Sequence, residues 1–443
     1  MERILCLVGI VAFIGLAWLV SSDRKRFPVR VVIGGLLLQL VLAFLVLRTS
    51  YGREFFAWIG DAFTLVMESV NAGSGFLFSS HLSEPFSESI VATFAFGVLP
   101  TVIFFSSLMS ILYHIGVMQW IVWALAWVMQ FTLKTSGPET LAAAANVFVG
   151  HTEAPLVVRP YLAKMTRSEL NAMMTGGFAT VTGGLLGAYA GMGIDVAHLL
   201  TASVISAPAA LLIAKVMQPE QPDAVVSTEL AFQPKTSQIP ASQIPEGETN
   251  ENDLAPDEGP ELRHVNVVAA AVAGASDGLK LAMNVGAMLI AFLAILNLVD
   301  VLLGQLCLTV GWIDGAGDPI LSLGILLGYG CWPIAWLLGI PAAECLEAGR
   351  LIGLKTVANE FIAYQALGEA ATSSESMLSE RSIVILTYAL AGFSNFGAIG
   401  IQVGGIGGLE PGRRKDLAEL GLRAMFGGLL ACCMTGAVAG LLL

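Results

Sequence analysis

Runs of about twenty apolar residues most restrict what this chain can fold into, because a helix of that length just spans the hydrocarbon core of a bilayer. The runs recur from Ile4 to the carboxyl end and are continuous, not alternating. Alternation would mark a membrane barrel. In lipid, every backbone polar group must be satisfied within its own segment, so continuous runs mean helices. Charge content agrees: 13% of the 443 residues are charged, about half the share usual in soluble domains. A soluble enzyme and a disordered chain are both excluded. The fold class is an all-α polytopic membrane protein.

Eight transmembrane helices are expected, over 4–20, 30–48, 92–113, 168–192, 196–217, 278–303, 383–408 and 416–443. Cytoplasmic loops carry excess Lys and Arg. Arg24, Lys25, Arg26 and Arg30 put the first loop inside, and Arg413, Arg414 and Lys415 do the same for the last. Both termini then lie outside. The first run reads as an uncleaved span, since Asp23-Arg24-Lys25-Arg26 follows it and a signal peptide has its positive charge in front. Between Glu54 and Val70, Glu54, Asp61 and Glu68 recur at every seventh position opposite Phe55, Phe56, Trp58 and Phe63. That pattern predicts one amphipathic helix in the interface. Met118–Thr132 and Ile320–Leu338 are apolar but short, and read as helices of unassigned depth.

The net charge of −12 is concentrated in one segment. Residues 218–262 hold ten acids, one base (Lys235) and seven of the 18 prolines. Such a segment cannot bury enough apolar surface to fold. It reads as a cytoplasmic tether, 218–265, and nucleic-acid binding finds no support. The six cysteines lack metal-ligand spacing and read as packing residues.

Two further stretches are too polar and too broken for ordinary spans. One is Ser136-Gly-Pro-Glu139 followed by TLAAAANVFVGHTEAPLVVRPYLAKMTRSE, and the other is GIPAAECLEAGRLIGLKTVANEFIAYQALGEA. Each has a polar centre, His151-Thr152-Glu153 or Asn359-Glu360, between arms of about half a bilayer length. They are predicted as re-entrant hairpins, 136–165 opening inward and 340–371 opening outward. Lys134, Arg159, Lys164 and Arg167 flank the first, while Glu344, Glu347, Glu369 and Glu375 crowd the second, with Arg350 among them. Ser136…Glu139 and Thr166…Glu169 match capping boxes.

Each hairpin precedes a glycine-rich span broken near its middle, GGFATVTGGLLGAYAGMG (176–193) and GFSNFGAIGIQVGGIGGL (392–409). Hairpin plus broken helix, repeated with opposite orientation, is the inverted-repeat design of secondary transporters. Four regions follow: 1–90 with the first helices and the interfacial helix, 91–217 as the first repeat, 218–265 as the tether, and 266–443 as the second repeat. Gly191, Gly193, Gly404 and Gly405 read as packing glycines. The Thr180–Gly184 and Asn395–Gly397 stretches read as binding elements, because polar side chains lie within the breaks.

An intramembrane carboxylate is costly and marks function by default. Glu153 and Glu360 sit at opposed hairpin tips, and a polyhydroxylated sugar carrying a planar base suits them together with Asn146, Asn395 and Thr152. A structural pairing of Glu153 with Arg159 or a backbone terminus is the alternative. His151 reads as a ligand contact, able to hydrogen-bond a base ring. His81, His114, His198 and His264 read as structural. Backbone carbonyls freed at broken helices suit sodium, with Asn146, Val149, Thr180 and Val181 as contributors. No zinc cluster, phosphate loop or dinucleotide fingerprint is present. The reading is sodium-coupled symport and not an enzyme. The alternatives are proton coupling and a membrane-embedded enzyme using Glu153 and Glu360 as acid and base.

GHTEAPLVVRPYL (150–162), GLKTVANEFIAY (353–364), MNVGAMLIAFLAIL (283–296), GFSNFGAIGIQVGGIGGL and the opening SSDRKRFPVRVVIGGLLLQL resemble segments of the concentrative nucleoside transporters, over nearly the whole chain except the tether. The resemblance implies cation-coupled nucleoside import by a homotrimer in the bilayer, here a bacterial inner (plasma) membrane, with the two hairpins moving elevator-fashion. It implies that His151, Thr152, Glu153 and Leu185 face the nucleobase, that Glu360 and Asn395 bind the ribose hydroxyls, and that Asn146, Val149, Thr180 and Val181 hold sodium. Two positions depart from the family pattern. His151 stands where glutamine is usual, and Gly397-Ala398 where a serine pair is frequent, so Ala398 lacks a ribose donor.

Overall fold

The computed structural model describes residues 2–78, 96, 99–151, 153–221, 266–313, 319–373 and 377–443. Thr152, His81, His264, Glu375, the start of the third expected span and all but the first residues of the tether lie outside the described residues.

Helices account for nearly all the described structure. The first are α1 (Glu2–Leu19), α2 (Val29–Arg48), α3 (Ser50–Phe78), α4 (Leu99–Ile115) and α5 (Val117–Leu133). The expected interfacial helix falls within α3 and is shorter than it. α4 and α5 meet at a bend of 78°, made at Gly116, whose φ of +93° suits a residue without a Cβ. The short run after Gly116 is thus the second limb of a bent pair.

The first polar stretch forms α6 (Gly137–Asn146) and two short turns, α7 (Ala154–Val157) and α8 (Arg159–Leu162). α9 (Arg167–Ala179) ends at Thr180, which is extended (φ −126°, ψ 158°). A 3₁₀ turn, Gly183–Leu185, capped by the Thr182 hydroxyl, then opens α10 (Leu186–Gly191). This span is therefore broken where the Thr180–Gly184 stretch was expected to break it. α11 (Val196–Met217) closes the first half. Both predicted helix starts hold: Glu139 accepts the Ser136 N–H at 2.9 Å and Glu169 the Thr166 N–H at 2.8 Å.

The second half runs α12 (Val267–Val310), α13 (Leu323–Leu337), α14 (Cys345–Val357), α15 (Glu360–Thr372), α16 (Glu380–Leu390), α17 (Phe396–Leu409) and α18 (Arg414–Leu442). α16 and α17 are separated by the non-helical residues 391–395. α12 has 44 residues, roughly 66 Å at 1.5 Å per residue and about twice what a bilayer core needs. Five described helices are long and apolar enough to cross a membrane, or six with the bent pair counted as one span.

α18 is the axis of the larger body. It packs against α1, α2, α9, α11, α16 and α17, and 83% of its most apolar window is buried, against 11% for α12. α12 instead pairs with α4. Gly274 and Gly278 let the backbones approach, and the Ser107 and Ser110 hydroxyls donate to the Ala271 and Ala270 carbonyls at 2.8 Å. Small residues four apart permit this closeness between apolar helices. Gly404 and Gly405 behave otherwise, since a Cβ on either would meet open space within this chain. The packing role expected of them is not seen here. The six cysteines are free and mostly buried.

Candidate functional site

Two asparagine-capped helix starts converge on one carboxylate. Asn359 caps α15, its Oδ1 accepting the Ile362 N–H at 2.9 Å, which places Glu360 in the first turn. Asn395 caps α17 in the same way, with Oδ1 accepting the Ala398 N–H at 2.8 Å. That bond orients the Asn395 amide, so its Nδ2 is the atom left to reach Glu360 Oε2, at 3.2 Å. Glu360 is only 3% exposed. Its other oxygen accepts the Tyr189 hydroxyl at 3.2 Å. A carboxylate near helix amino termini is favoured by their partial positive charge.

The sequence reading missed Tyr189. It lies on α10, one turn beyond Leu185, with its ring against Tyr364 (centroids 4.6 Å apart) and Phe361 (5.6 Å). In a run of Leu, Gly and Ala an aromatic reads as core, and only the hydroxyl hinted otherwise. Hydrogen bonds to charged groups contribute about 1.5–3 kcal/mol. Tyr189→Phe should therefore weaken ligand binding at Glu360 by about tenfold or more, measured as the dissociation constant of the purified protein. An unchanged constant would mean that Tyr189 only fills space.

The first polar stretch meets the first break. The Gly183 N–H donates to the Phe148 carbonyl at 2.9 Å, and Asn146 lies against Gly176, where a Cβ would sit 3.2 Å from its Nδ2. Asn146, Val149, Thr180 and Val181 are thereby gathered on two segments in contact, and all four are buried. The Thr180 hydroxyl donates to the Gly176 carbonyl at 2.9 Å, leaving its lone pairs free. Asn146 is 1% exposed, and among the described residues neither Oδ1 nor Nδ2 has a partner. A buried amide that bonds nothing is costly, and its oxygen is the kind of ligand a hard cation takes.

His151 is buried against Phe393, with ring centroids 4.6 Å apart, and so bridges the first polar stretch to the second break. Glu153 is not buried as they are. Its side chain is exposed, and among the described residues it has no side-chain hydrogen bond or ion pair, so the alternative pairing with Arg159 is not formed. Leu185 and Ala398 are buried beside the two breaks. His198 is held by the Tyr388 hydroxyl at 3.0 Å, in keeping with its structural reading.

A cavity of about 300 Å³ lies elsewhere, between α12, α13, α14 and α15. Its polar groups are paired: Arg350 with Glu347, Asp300 with the Leu323 N–H at 2.6 Å, and Glu369 with Gln365 at 3.2 Å. Around the breaks, by contrast, Asn146 and His151 keep open hydrogen-bonding capacity among the described residues.

Residues 198–440 match the family described as "Na+ dependent nucleoside transporter C-terminus", residues 8–81 its amino-terminal counterpart, and residues 95–195 "Nucleoside recognition". The chain belongs to the concentrative nucleoside transporter family. It is 39% identical to an uncharacterized transporter of Haemophilus influenzae, over 98% of this chain and 96% of that one. It is also 38% identical to solute carrier family 28 member 3 of Eptatretus stoutii and 37% identical to sodium/nucleoside cotransporter 1 of Mus musculus. It matches both over its full length but spans only 61% and 64% of theirs. Among solved structures, CNTnw in an inward-facing substrate-bound state superposes with a TM-score of 0.85 at 38% identity, covering 100% of this chain and 98% of that one. A substituted CNTnw in an outward-facing state gives 0.86 at 37%, with the same coverage. The family is one of nucleoside transporters and not of enzymes.

Proposed function

We propose that this protein imports nucleosides by symport with sodium, using elevator-type alternating access. The carrying observation is the convergence of the Asn359 and Asn395 caps and Tyr189 on the buried Glu360 carboxylate. Its remaining lone pairs suit two adjacent hydroxyls, which is what a ribose presents. Asn395 shares that ribose contact, and the Ala398 methyl adds no donor. His151, Thr152, Glu153 and Leu185 face the nucleobase. Sodium, as co-transported cargo, is taken by Asn146, whose amide is otherwise unpartnered, with Thr180 and the carbonyls of Val149 and Val181. The stretches 136–165 and 340–371 act as oppositely oriented re-entrant hairpins within inverted repeats that make up eight crossings. Both termini lie outside a bacterial inner membrane. The exposed apolar length of α12 supports a homotrimer built around the α4–α12 pair.

Uptake of radiolabelled uridine and adenosine into proteoliposomes checks the reading, with and without an inward sodium gradient. Gradient-dependent uptake of at least one nucleoside is expected. Uptake that follows pH at fixed sodium would replace sodium with protons, and no gradient-dependent uptake would overturn symport.

A further inference from the structure

One buried charge in the second half has no role above. Lys355 lies in the last turn of α14, five residues before Glu360, and is fully buried at 0% exposure. Among the described residues no carboxylate lies within ion-pair reach of it. An ammonium carried this deep is costly unless other groups answer its charge.

The end of α16 answers part of it. The Lys355 Nζ donates to the Ala389 carbonyl at 3.0 Å, and the Tyr364 hydroxyl of α15 donates to the Thr387 carbonyl at 2.8 Å. Both carbonyls belong to the last four of α16, which a helix leaves without partners and with partial negative charge. α14 and α15 are thus pinned to the residues that lead into the second break. A full opposite charge is still wanting, and the carboxylate that faces Lys355 is Glu360, the first residue of α15. In a low-dielectric interior two such charges act on each other beyond hydrogen-bond reach. The titratable groups around Glu360 are Lys355 from α14, Tyr189 from α10 and Tyr364 from its own helix, and Cys433 of α18 also faces Lys355. Lys355 is the cation of that set.

We infer that Lys355 is a positioning residue for Glu360: its ammonium, pinned to the end of α16, keeps the buried carboxylate ionised and able to accept two ligand hydroxyls. Burial alone favours the neutral carboxyl group, and an opposite charge nearby favours the ionised one. A protonated Glu360 would turn one of its oxygens into a donor and lose the charge that strengthens the other bonds. Lys355 touches no ligand itself and acts through Glu360. The ligand half of this inference rests on reading Glu360 as the ribose acceptor; the charge half does not.

Two measurements separate those halves. The charge state is read by difference infrared spectroscopy of the protein in lipid, from the C=O stretch of a protonated carboxyl group, assigned to Glu360 by its loss on adding Glu360→Gln. No such band is expected in the natural protein at neutral pH, and one is expected in Lys355→Met. A Glu360 band in the natural protein, or none in Lys355→Met, overturns the charge half whether or not nucleosides bind. The ligand half is read from the dissociation constants of uridine and adenosine for the purified protein, against pH at fixed sodium. Lys355→Met should bind more weakly at neutral pH and tighten by up to about tenfold per pH unit toward alkali, as Glu360 gives up its proton. That slope should be absent from the natural protein and from Lys355→Met combined with Glu360→Gln. A loss equal at every pH assigns Lys355 a structural role, and a slope that survives in the double variant assigns the titration to another group. A band without a slope upholds the charge half and removes Glu360 as the ribose acceptor. Lys355→Gln, which keeps a donor for the Ala389 carbonyl, provides the same comparisons if the Met variant does not assemble.

Discussion

Glu360→Gln is expected to reduce gradient-driven nucleoside uptake below detection while leaving the protein folded. The two halves of that expectation come from the same geometry. A glutamine has the shape of the carboxylate, and its Oε1 can keep the Asn395 Nδ2 bond now made at 3.2 Å. Its new NH₂ then faces the Tyr189 hydroxyl, which can rotate from donor to acceptor. The Tyr189 O–H and the second amide N–H lose an acceptor, at about 1–3 kcal/mol each, so the variant is expected to assemble with reduced stability. The ligand does not fare as well. Two hydroxyls would lose a charged acceptor, and charge-assisted bonds contribute about 1.5–3 kcal/mol each. The combined loss corresponds to roughly two to four orders of magnitude in binding. The check pairs uptake into proteoliposomes with gel filtration and thermal unfolding in detergent. Uptake within tenfold of the natural protein would remove Glu360 from the site. A variant that aggregates would make the carboxylate structural.

What the sequence disclosed, and what it hid, follows from how each residue contrasts with its surroundings. Glu360, Asn395, Asn146 and Thr180 were legible because a polar group amid apolar residues has few bland explanations. The breaks were legible for the same reason, since Thr180 and Asn395 end or begin helices where glycine clusters already weaken them. Tyr189 was not, because a buried aromatic needs no special cause. The true extent of α12 was not read: the expected span covers 278–303, and the helix runs from Val267 to Val310, through Asp277 and Lys280. In the structure they bond to each other at 3.3 Å on one exposed face, and the helix continues through them. Glu153 was legible as a residue but not as a geometry, since it stands exposed where Glu360 is buried. Hydrophobic contrast identifies candidates along the chain, and only packing shows which of them meet.

Lys215→Met is expected to cost more stability than the usual substitution away from the site. Lys215 ends α11, where a cation suits the helix carboxyl terminus, and Glu139 opens α6, where an anion suits the amino terminus. The two meet at 2.7 Å, with Glu139 only 1% exposed. Lys215 also reaches Glu220 at 3.0 Å and the Ser168 hydroxyl at 3.0 Å. One ammonium group therefore joins the base of the first polar stretch, the start of α9 and the end of α11. Methionine keeps the apolar stem and removes the charge, leaving Glu139 buried with the Ser136 N–H as its remaining hydrogen bond. Stranding one partner of a buried pair costs about 3–5 kcal/mol. Adding Glu139→Gln should recover most of that loss, because the amide no longer carries an uncompensated charge and Glu220 is exposed enough to be hydrated. Thermal unfolding in detergent of the natural protein, both single variants and the double variant gives the coupling directly. Additive losses would show that Lys215 acts through its stem and not its charge. A strong coupling would mean that one charge holds the starts of α6 and α9 to the end of α11.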